Sequence, residues 1–279
     1  MQAGRPSRTA LGAAGHRAAH QVLEGGSVFA DPLAVAILGD DAGAAIEAAR
    51  GDAKQRVMRL FIAMRTRFAE DALAAAQRRG ARQLAILGAG LDTYAYRGPL
   101  RDKLKIFEVD HPSTQAWKRA KLAAAGIEAP PSLVYVPVDF EREDLRSRLE
   151  ACGFDASCRT FFSWLGVVVY LSVEAIDETL RFVAANPGGA DLVFDYANPR
   201  GELTDATAAV LDDLAARVAA AGESLQTFLE TEALDERLRR AGFREIEDLG
   251  PRQLVSRFFP GYPVVVPERG GHVARASTG

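Results

Sequence analysis

The chain has 279 residues, 34 basic and 37 acidic side chains, a net charge of -3 and 48% hydrophobic residues. This composition excludes a disordered chain, and the balanced charge gives no basic excess to attract nucleic acid or an anionic membrane. Two cysteines are too few for a disulfide framework or a four-cysteine zinc site. No apolar run reaches the roughly 20 residues of a membrane helix, and the N-terminus lacks a signal-peptide core. We therefore expect a soluble cytoplasmic protein.

The first 80 residues are predicted to be helical. Ser7 caps a helix that runs to about Glu24, and Asp31-Pro32 opens a second, short helix. Apolar residues at positions 57, 60, 61, 64 and 68 share one face of a third helix over residues 55–79. These helices precede the regular part of the pattern and could cover one end of it.

From residue 83 onward, short apolar runs alternate with helical segments. The runs are continuously apolar, which is typical of strands that are buried on both faces of a parallel sheet. The pattern therefore predicts an α/β fold with a mostly parallel sheet and helices on both faces. The predicted strands are 83–87, 104–109, 133–138, 159–169, 191–196, 244–248 and 271–276, and the predicted helices are 112–125, 144–152, 172–185 and much of 202–242.

Three features with chemical potential follow the first three strands. Gly88 and Gly90 form a tight turn, although Thr93 stands where a dinucleotide fingerprint would have its third glycine. Asp110, 20 residues beyond Gly90, could accept hydrogen bonds from both hydroxyls of a ribose, in a nicotinamide cofactor and S-adenosylmethionine alike. Asp139 could accept the amino group of adenine. An ordinary strand-to-helix turn and helix caps are the structural alternatives.

Several segments resemble the leucine carboxyl methyltransferase family. They are QLAILGAGLDTYAYR at 83–97, FEVDHP at 107–112 and VDF at 138–140, and DPL at 31–33 and RTRF at 65–68 fit the bacterial branch. The resemblance runs from about residue 7 to 276. It implies a class I S-adenosylmethionine-dependent methyltransferase with a Rossmann-like, seven-stranded fold and a small-molecule acceptor.

The resemblance also implies one domain with four parts. They are a helical N-terminal cap (1–80), a cofactor-binding half (81–198), a helical insert over the substrate site (199–242) and closing strands (243–279).

The same resemblance assigns roles around the cofactor. Gly88 would face its methionine part and Gly90 belongs to the same turn, while Asp110 would bind the ribose. Asp139 together with Phe140 would bind the adenine.

An arginine ahead of the first strand would hold the cofactor carboxylate, and Arg65 and Arg67 are the two candidates. Arg67 has acids at i+3 and i+4, so a surface ion pair explains it without function. Arg65 has no acid one turn away, and we expect its guanidinium to be free for a bidentate contact. A looser match places Arg17 near the cofactor as well.

No catalytic residue is evident, and three side chains are candidates for the acceptor site: Tyr170, His16 and His20. The two histidines are one turn apart, but without a third ligand we expect no metal. Leu165 stands where family members often carry a glutamate, so the substrate of the leucine carboxyl enzymes does not carry over directly.

Methyl transfer from a sulfonium requires mainly the alignment of two reactants. A carboxylate acceptor is ionised at pH 7, whereas a phenol with a pKa near 10 benefits from a base, which His16 or His20 could supply. The sequence therefore favours O-methylation of a carboxylate on a small molecule, such as a secondary metabolite. The alternatives are a phenol or hydroxyl acceptor, a nicotinamide-dependent oxidoreductase, and a cofactor-binding protein without catalysis.

Overall fold

The computed structural model describes residues 7–51, 53–139, 143–261 and 265–279. The helices in these ranges are α1 (Arg8–Leu23), α2 (Ala42–Arg50), α3 (Ala53–Arg78), α4 (Tyr94–Arg97), α5 (Pro112–Ala124), α6 (Leu145–Ala151), α7 (Val173–Ala184), α8 (Asp205–Ala220), α9 (Thr231–Ala241) and α10 (Pro251–Phe258). The strands are β1 (Gln83–Leu87), β2 (Lys105–Asp110), β3 (Leu133–Pro137), β4 (Thr160–Trp164), β5 (Ala190–Ala197), β6 (Glu245–Leu249) and β7 (Gly271–Ser277).

The seven strands form one sheet in the order β3-β2-β1-β4-β5-β7-β6. The first five strands are mutually parallel, and β7 runs antiparallel to both β5 and β6. Helices α1, α3 and α10 cover one face of the sheet, and α6, α7 and α9 cover the other. Alternate strand residues therefore enter two separate cores, and the predicted fold class is confirmed.

The first three helices cap the sheet through close backbone contact. Ser7 caps α1 by accepting a hydrogen bond from the Ala10 N–H. A Cβ at Gly15 would lie 3.0 Å from the Ala45 carbonyl oxygen, so glycine allows α1 and α2 to pack this closely. None of the helices in the described ranges has both the length and the apolarity needed to cross a membrane.

Three predicted elements differ from the structure. The helix expected at Asp31 is a turn followed by a 3₁₀ segment, and Gly39, at φ +56°, breaks the regular helical path before α2 begins. The fourth strand occupies Thr160–Trp164 within the predicted segment 159–169, and Gly166, at φ +70°, turns the chain after it. The predicted helical stretch 202–242 is divided into α8 and α9 by residues without helical structure, and α2, α4 and α10 were not predicted.

Candidate functional site

A cavity of about 1530 Å³ opens over the carboxyl ends of the parallel strands, between the N-terminal helices, α8 and α10. Small-molecule sites usually occupy about 300–1,000 Å³, so this cavity has room for two molecules side by side. Eight of the residues predicted to form the site line it: Gly88, Gly90, Asp110, Asp139, Arg65, Arg17, His16 and Tyr170.

The turn after β1 depends on its two glycines, because a side chain at either position would collide with a neighbouring residue. Gly88 has φ +72°, and a Cβ there would lie 2.4 Å from a methyl carbon of Val167. Gly90 has φ +46°, and a Cβ there would lie 3.1 Å from the Ala10 Cβ at the start of α1. The Gly88 N–H donates to the Val109 carbonyl oxygen, which ties the turn to β2. The result is a rigid, open backbone cradle.

Asp110 is buried at the end of β2 and holds that cradle in place. Its Oδ2 accepts the Gly90 N–H at 2.6 Å, and its Oδ1 accepts the His111 N–H at 2.7 Å. Burial raises the pKa of Asp110, and the two backbone hydrogen bonds oppose that rise. A carboxylate has about four lone-pair sites, so one on each oxygen remains for a ligand hydroxyl.

Asp139 lies beyond β3 and lines the same cavity. Its backbone N–H donates to the Glu143 side chain at 2.9 Å, and its carbonyl oxygen accepts the Glu143 N–H at 2.9 Å, so these two hydrogen bonds hold Asp139. Phe140, which was predicted to contact adenine, lies outside the described residues.

Arg65 lines the cavity, but its guanidinium is not free as the helix spacing suggested. Its Nη1 lies 2.5 Å from Asp195 Oδ2, and Asp195 Oδ1 accepts the Gly166 N–H at 2.5 Å. Asp195 belongs to β5, whereas the sequence analysis compared Arg65 only with acids on its own helix. The buried Nε of Arg65 has no hydrogen-bond partner among the described residues, although the side chain as a whole lines the cavity.

The other two arginines are placed differently. Arg67 is half exposed, pairs with Asp71 at 3.0 Å and does not line the cavity. Arg17 is buried and lines the cavity, and its Nη2 donates to the Leu91 carbonyl oxygen at 2.6 Å. Arg17 therefore fixes α1 to the residue that follows Gly90.

A buried polar network, missed by the sequence reasoning, connects the cap to the cradle. Asp31 accepts the Thr93 hydroxyl at 2.7 Å, and its carboxylate lies 3.2 Å from Arg97 Nε and 3.5 Å from Arg17 Nε. Arg97 also pairs with Glu70 of α3 at 2.6 Å. Several residues of the segments DPL and DTYAYR therefore hold the cap on the sheet. An acid next to a proline in an otherwise apolar stretch was the available signal.

His16 and Tyr170 line the cavity, and the pKa values of both side chains are strongly shifted. Burial lowers the pKa of His16 to about 4, and arginines that include Arg217 and Arg65 add to this. Burial and the Glu223 carboxylate raise the pKa of Tyr170 to about 12. The Nδ1 of His16 is buried and has no partner among the residues that the structure describes. His16 therefore presents a neutral imidazole to any bound molecule at pH 7.

His20 does not line the cavity. Its Nδ1 lies 3.2 Å from Glu24, and its Nε2 accepts the Val28 N–H at 3.4 Å. Both ring nitrogens are therefore used in holding the end of α1. Among the described residues, no three His, Cys, Asp or Glu side chains are grouped so that they could hold a metal ion.

Leu165 follows β4 and lines the cavity. It packs against the core on the α3 side of the sheet. At this position the chain presents an apolar surface rather than the glutamate that the resemblance led us to expect.

The fold and the cavity define an α/β protein with a Rossmann-like sheet and a ligand site over the carboxyl ends of its parallel strands. The model of the leucine carboxyl methyltransferase family matches residues 10–184, and the chain belongs to that family. The predicted resemblance is thereby confirmed. The class that was predicted, an S-adenosylmethionine-dependent methyltransferase, is the class of this family.

Curated relatives are named in the same way. A Bacillus subtilis protein with the provisional name S-adenosyl-L-methionine-dependent methyltransferase YktD is 35% identical over 64% of this chain and 60% of its own length. A Mycolicibacterium paratuberculosis protein with the same provisional class name is 36% identical over 70% of this chain and 68% of its own. The alignment with a Mycolicibacterium gilvum relative covers 44% of that protein, so the chain spans less than two thirds of some of these relatives.

Solved structures share the fold at low identity. A DUF574-family protein from Streptomyces avermitilis superposes with a TM-score of 0.58 at 15% identity, over 95% of this chain and 97% of its own. A Thermobifida fusca protein, provisionally described as a methyltransferase, gives a TM-score of 0.55 at 16% identity, over 99% and 96%.

The two arginines of α3 allow a direct test of the carboxylate clamp. We expect Arg65→Ala to weaken the binding of S-adenosylhomocysteine by roughly 1.5–3 kcal/mol, because it removes a charged hydrogen-bond donor from the cavity. Arg67→Ala is the matched control and should leave the dissociation constant unchanged. Calorimetry measures both constants.

Loss of Arg65 also leaves the Asp195 carboxylate buried without its partner. The double variant Arg65→Ala/Asp195→Asn removes that charge and should bind the cofactor product as weakly as the single variant. Weaker binding in Arg67→Ala than in Arg65→Ala, with both folded by circular dichroism, would show that the clamp is Arg67.

Proposed function

We propose that the protein is an S-adenosylmethionine-dependent O-methyltransferase that converts a carboxylate of a small molecule into its methyl ester. Family membership supports the methyltransferase class. The choice of acceptor rests on the burial of the candidate bases in the cavity, which shifts their pKa values away from neutrality. Of the candidate bases, His16 has a pKa of about 4 and Tyr170 a pKa of about 12, while His20 lies elsewhere. Neither cavity group is suited to deprotonating a phenol near pH 7.

The described residues fit the cofactor. The glycine cradle borders the cavity, Asp110 keeps one lone pair on each oxygen beyond its two backbone hydrogen bonds, and Arg65 places a cation on the same cavity. In this proposal Asp110 binds the ribose, Asp139 the adenine and Arg65 the carboxylate. The bound cofactor supplies an electrophilic methyl group. The chain holds the two reactants in line and excludes water.

A hydroxyl acceptor is supported less well. Its proton would have to pass to a base such as His16, whose neighbouring arginines and burial disfavour the protonated imidazole. A nicotinamide cofactor is also less well supported, since Thr93 is buried and its hydroxyl bonds to Asp31 instead of leaving the open space of a third glycine.

The pH dependence of turnover distinguishes the acceptors. We expect the rate at saturating substrate to be nearly flat from about pH 6 to 9, because the pKa values of about 4 and 12 for His16 and Tyr170 lie outside this window. The methylated product should be cleaved by mild base, as an ester is. Rates with labelled cofactor across this window, and mass spectrometry after base treatment, provide the measurements.

The variant His16→Gln is the matched control for this test. It keeps a hydrogen-bonding side chain and removes the basic one, so a carboxylate acceptor should still be methylated at a comparable rate. A product that survives base treatment, or a rate that rises with pH and collapses in His16→Gln, identifies a hydroxyl acceptor instead.

A further inference from the structure

Helix α3 carries an apolar wall of the cavity. Leu60, Phe61 and Met64 share one side of the helix and line the cavity together. The Cζ of Arg65 lies 5.8 Å from the centre of the Phe61 ring. The apolar wall therefore lies beside the arginine that we assign to the cofactor.

Helix α8 carries a second apolar wall of the same cavity. Val210, Leu211 and Leu214 line it and are only half-buried. Ala216, on the same helix, is exposed and does not line the cavity. Helix α8 therefore has apolar side chains on its cavity side that neighbouring protein atoms do not fully cover.

The charges of the cavity are unevenly distributed. The acids that follow the first strands, Asp110 and Asp139, lie at the cradle, where the nucleotide part of the cofactor is placed. Arg56 of α3 and Arg217 of α8 are exposed cavity residues on the two helices that carry the apolar walls. Arg217 is ion-paired with Asp213 of the same helix at 2.9 Å, and Asp41 and Glu223 also line the cavity, so these charges do not by themselves select an anion.

The volume allows both ligands at once. A cofactor of ordinary size fills only part of the 1530 Å³. The remaining part is enclosed by α3 and α8, and burying an apolar body there gains free energy in proportion to the area covered. A small polar acid would leave the apolar side chains of these two helices in contact with water.

We propose that the acceptor is a monocarboxylic acid with an extended apolar body, which lies between α3 and α8 while its carboxylate faces the cofactor. The inference rests on the proposed function and adds the class of substrate. Leu211 and Leu214 determine specificity by contact with the apolar body.

A series of straight-chain acids tests the apolar compartment. Hexanoate, octanoate and decanoate are titrated by calorimetry into the full chain saturated with S-adenosylhomocysteine. We expect the dissociation constant to fall roughly fourfold for each added methylene. Equal affinity for the three acids, or no binding of any of them while the cofactor product still binds, overturns the compartment and leaves the methyltransferase assignment intact.

Two variants of α8 locate the effect. Leu211→Trp fills the compartment and should weaken decanoate at least tenfold, with the affinity for S-adenosylhomocysteine unchanged. Ala216→Trp adds the same side chain outside the cavity and should change neither affinity. Leu214→Ser removes apolar surface without adding bulk, and it serves as the alternative if the tryptophan variant does not fold. It should weaken decanoate binding about tenfold. Unchanged decanoate binding in the folded cavity variants overturns the inference.

Decanol separates this inference from the proposed function. It carries the same apolar body and no carboxylate, so we expect weaker binding than for decanoate and no methylated product. Conversion of decanol to its methyl ether overturns the assignment of a carboxylate acceptor in both proposals. It leaves the assignment of an apolar compartment between α3 and α8 intact.

Discussion

Replacing Asp110 with alanine is expected to weaken the binding of S-adenosylhomocysteine at least tenfold. In the structure each oxygen of Asp110 accepts one backbone N–H, from Gly90 and from His111. The remaining lone pairs match the two hydroxyls of a ribose. Each hydrogen bond to a charged acceptor contributes about 1.5–3 kcal/mol, and the relief of desolvating the carboxylate offsets part of the sum.

The same change also affects the unliganded protein, because Gly90 loses the acceptor of its N–H. Thermal unfolding without ligand measures this part, and calorimetry measures the loss of affinity. Asp144→Ala is the matched control, since Asp144 also accepts a backbone N–H, from Ser147, but lies outside the cavity. It should lower stability only. Unchanged affinity in folded Asp110→Ala would contradict the assignment of Asp110 to the ribose. Binding of NAD in place of S-adenosylhomocysteine would contradict the assignment of the cofactor.

The central strands β1, β2, β4 and β5 were predictable because they are buried on both faces. Continuous apolar runs such as residues 83–87 have few alternatives in a chain of this composition, and the glycines at 88 and 90 mark where the first strand must turn. The bounds of the closing pair, β6 and β7, were predicted to within one residue, although β6 is only partly buried.

The ion pair between Arg65 and Asp195 was not predictable from spacing. Side chains three or four positions apart on a helix meet by geometry, but a partner on a strand 130 residues away depends on the register of the whole sheet. An acid near the end of an apolar strand was the available signal. The position of Arg65 also depends on Gly166. A Cβ added at Gly166 would lie 3.0 Å from Arg65 Nη2, so the turn and the arginine constrain each other.

The cap was predicted as helical but not in detail. The short helix expected at Asp31 fails because its carboxylate accepts the Leu33 N–H and binds Thr93, which favours a turn over a helix start. Local capping rules treat such an acid as a helix signal. Only the tertiary structure shows that Arg17 and Arg97 compete for it.

A buried ion pair lies two residues from Asp110 of the proposed ribose site, and removing one of its partners should destabilise this part of the sheet. Glu108 of β2 and Lys118 of α5 are both almost completely buried, and Lys118 Nζ lies 2.8 Å from Glu108 Oε2. We expect Lys118→Met to lower the free energy of unfolding by about 3–5 kcal/mol at pH 8, because it leaves a buried carboxylate without its counter-charge.

The loss should depend on pH in a defined direction. Burial raises the pKa of Glu108 from its ordinary 4.5 to about 7, while Lys118 opposes this rise. Without the lysine, the folded-state pKa rises further. The folded protein then binds a proton that the unfolded chain releases above about pH 4.5. Stability from this group is therefore full at low pH and falls by up to about 1.4 kcal/mol per pH unit as the pH rises towards the folded pKa.

Urea unfolding of Lys118→Met at pH 5 and pH 8 tests this directly, with the original chain measured at both values. The double variant Glu108→Leu/Lys118→Met is the control, because replacing a buried pair with apolar residues of similar volume is often neutral or stabilising. It should recover most of the lost stability at pH 8 and show a weaker pH dependence. A single variant that is as stable at pH 8 as at pH 5, or a double variant that stays as unstable as the single one, would show that packing of the Lys118 side chain, rather than its charge, stabilises this region.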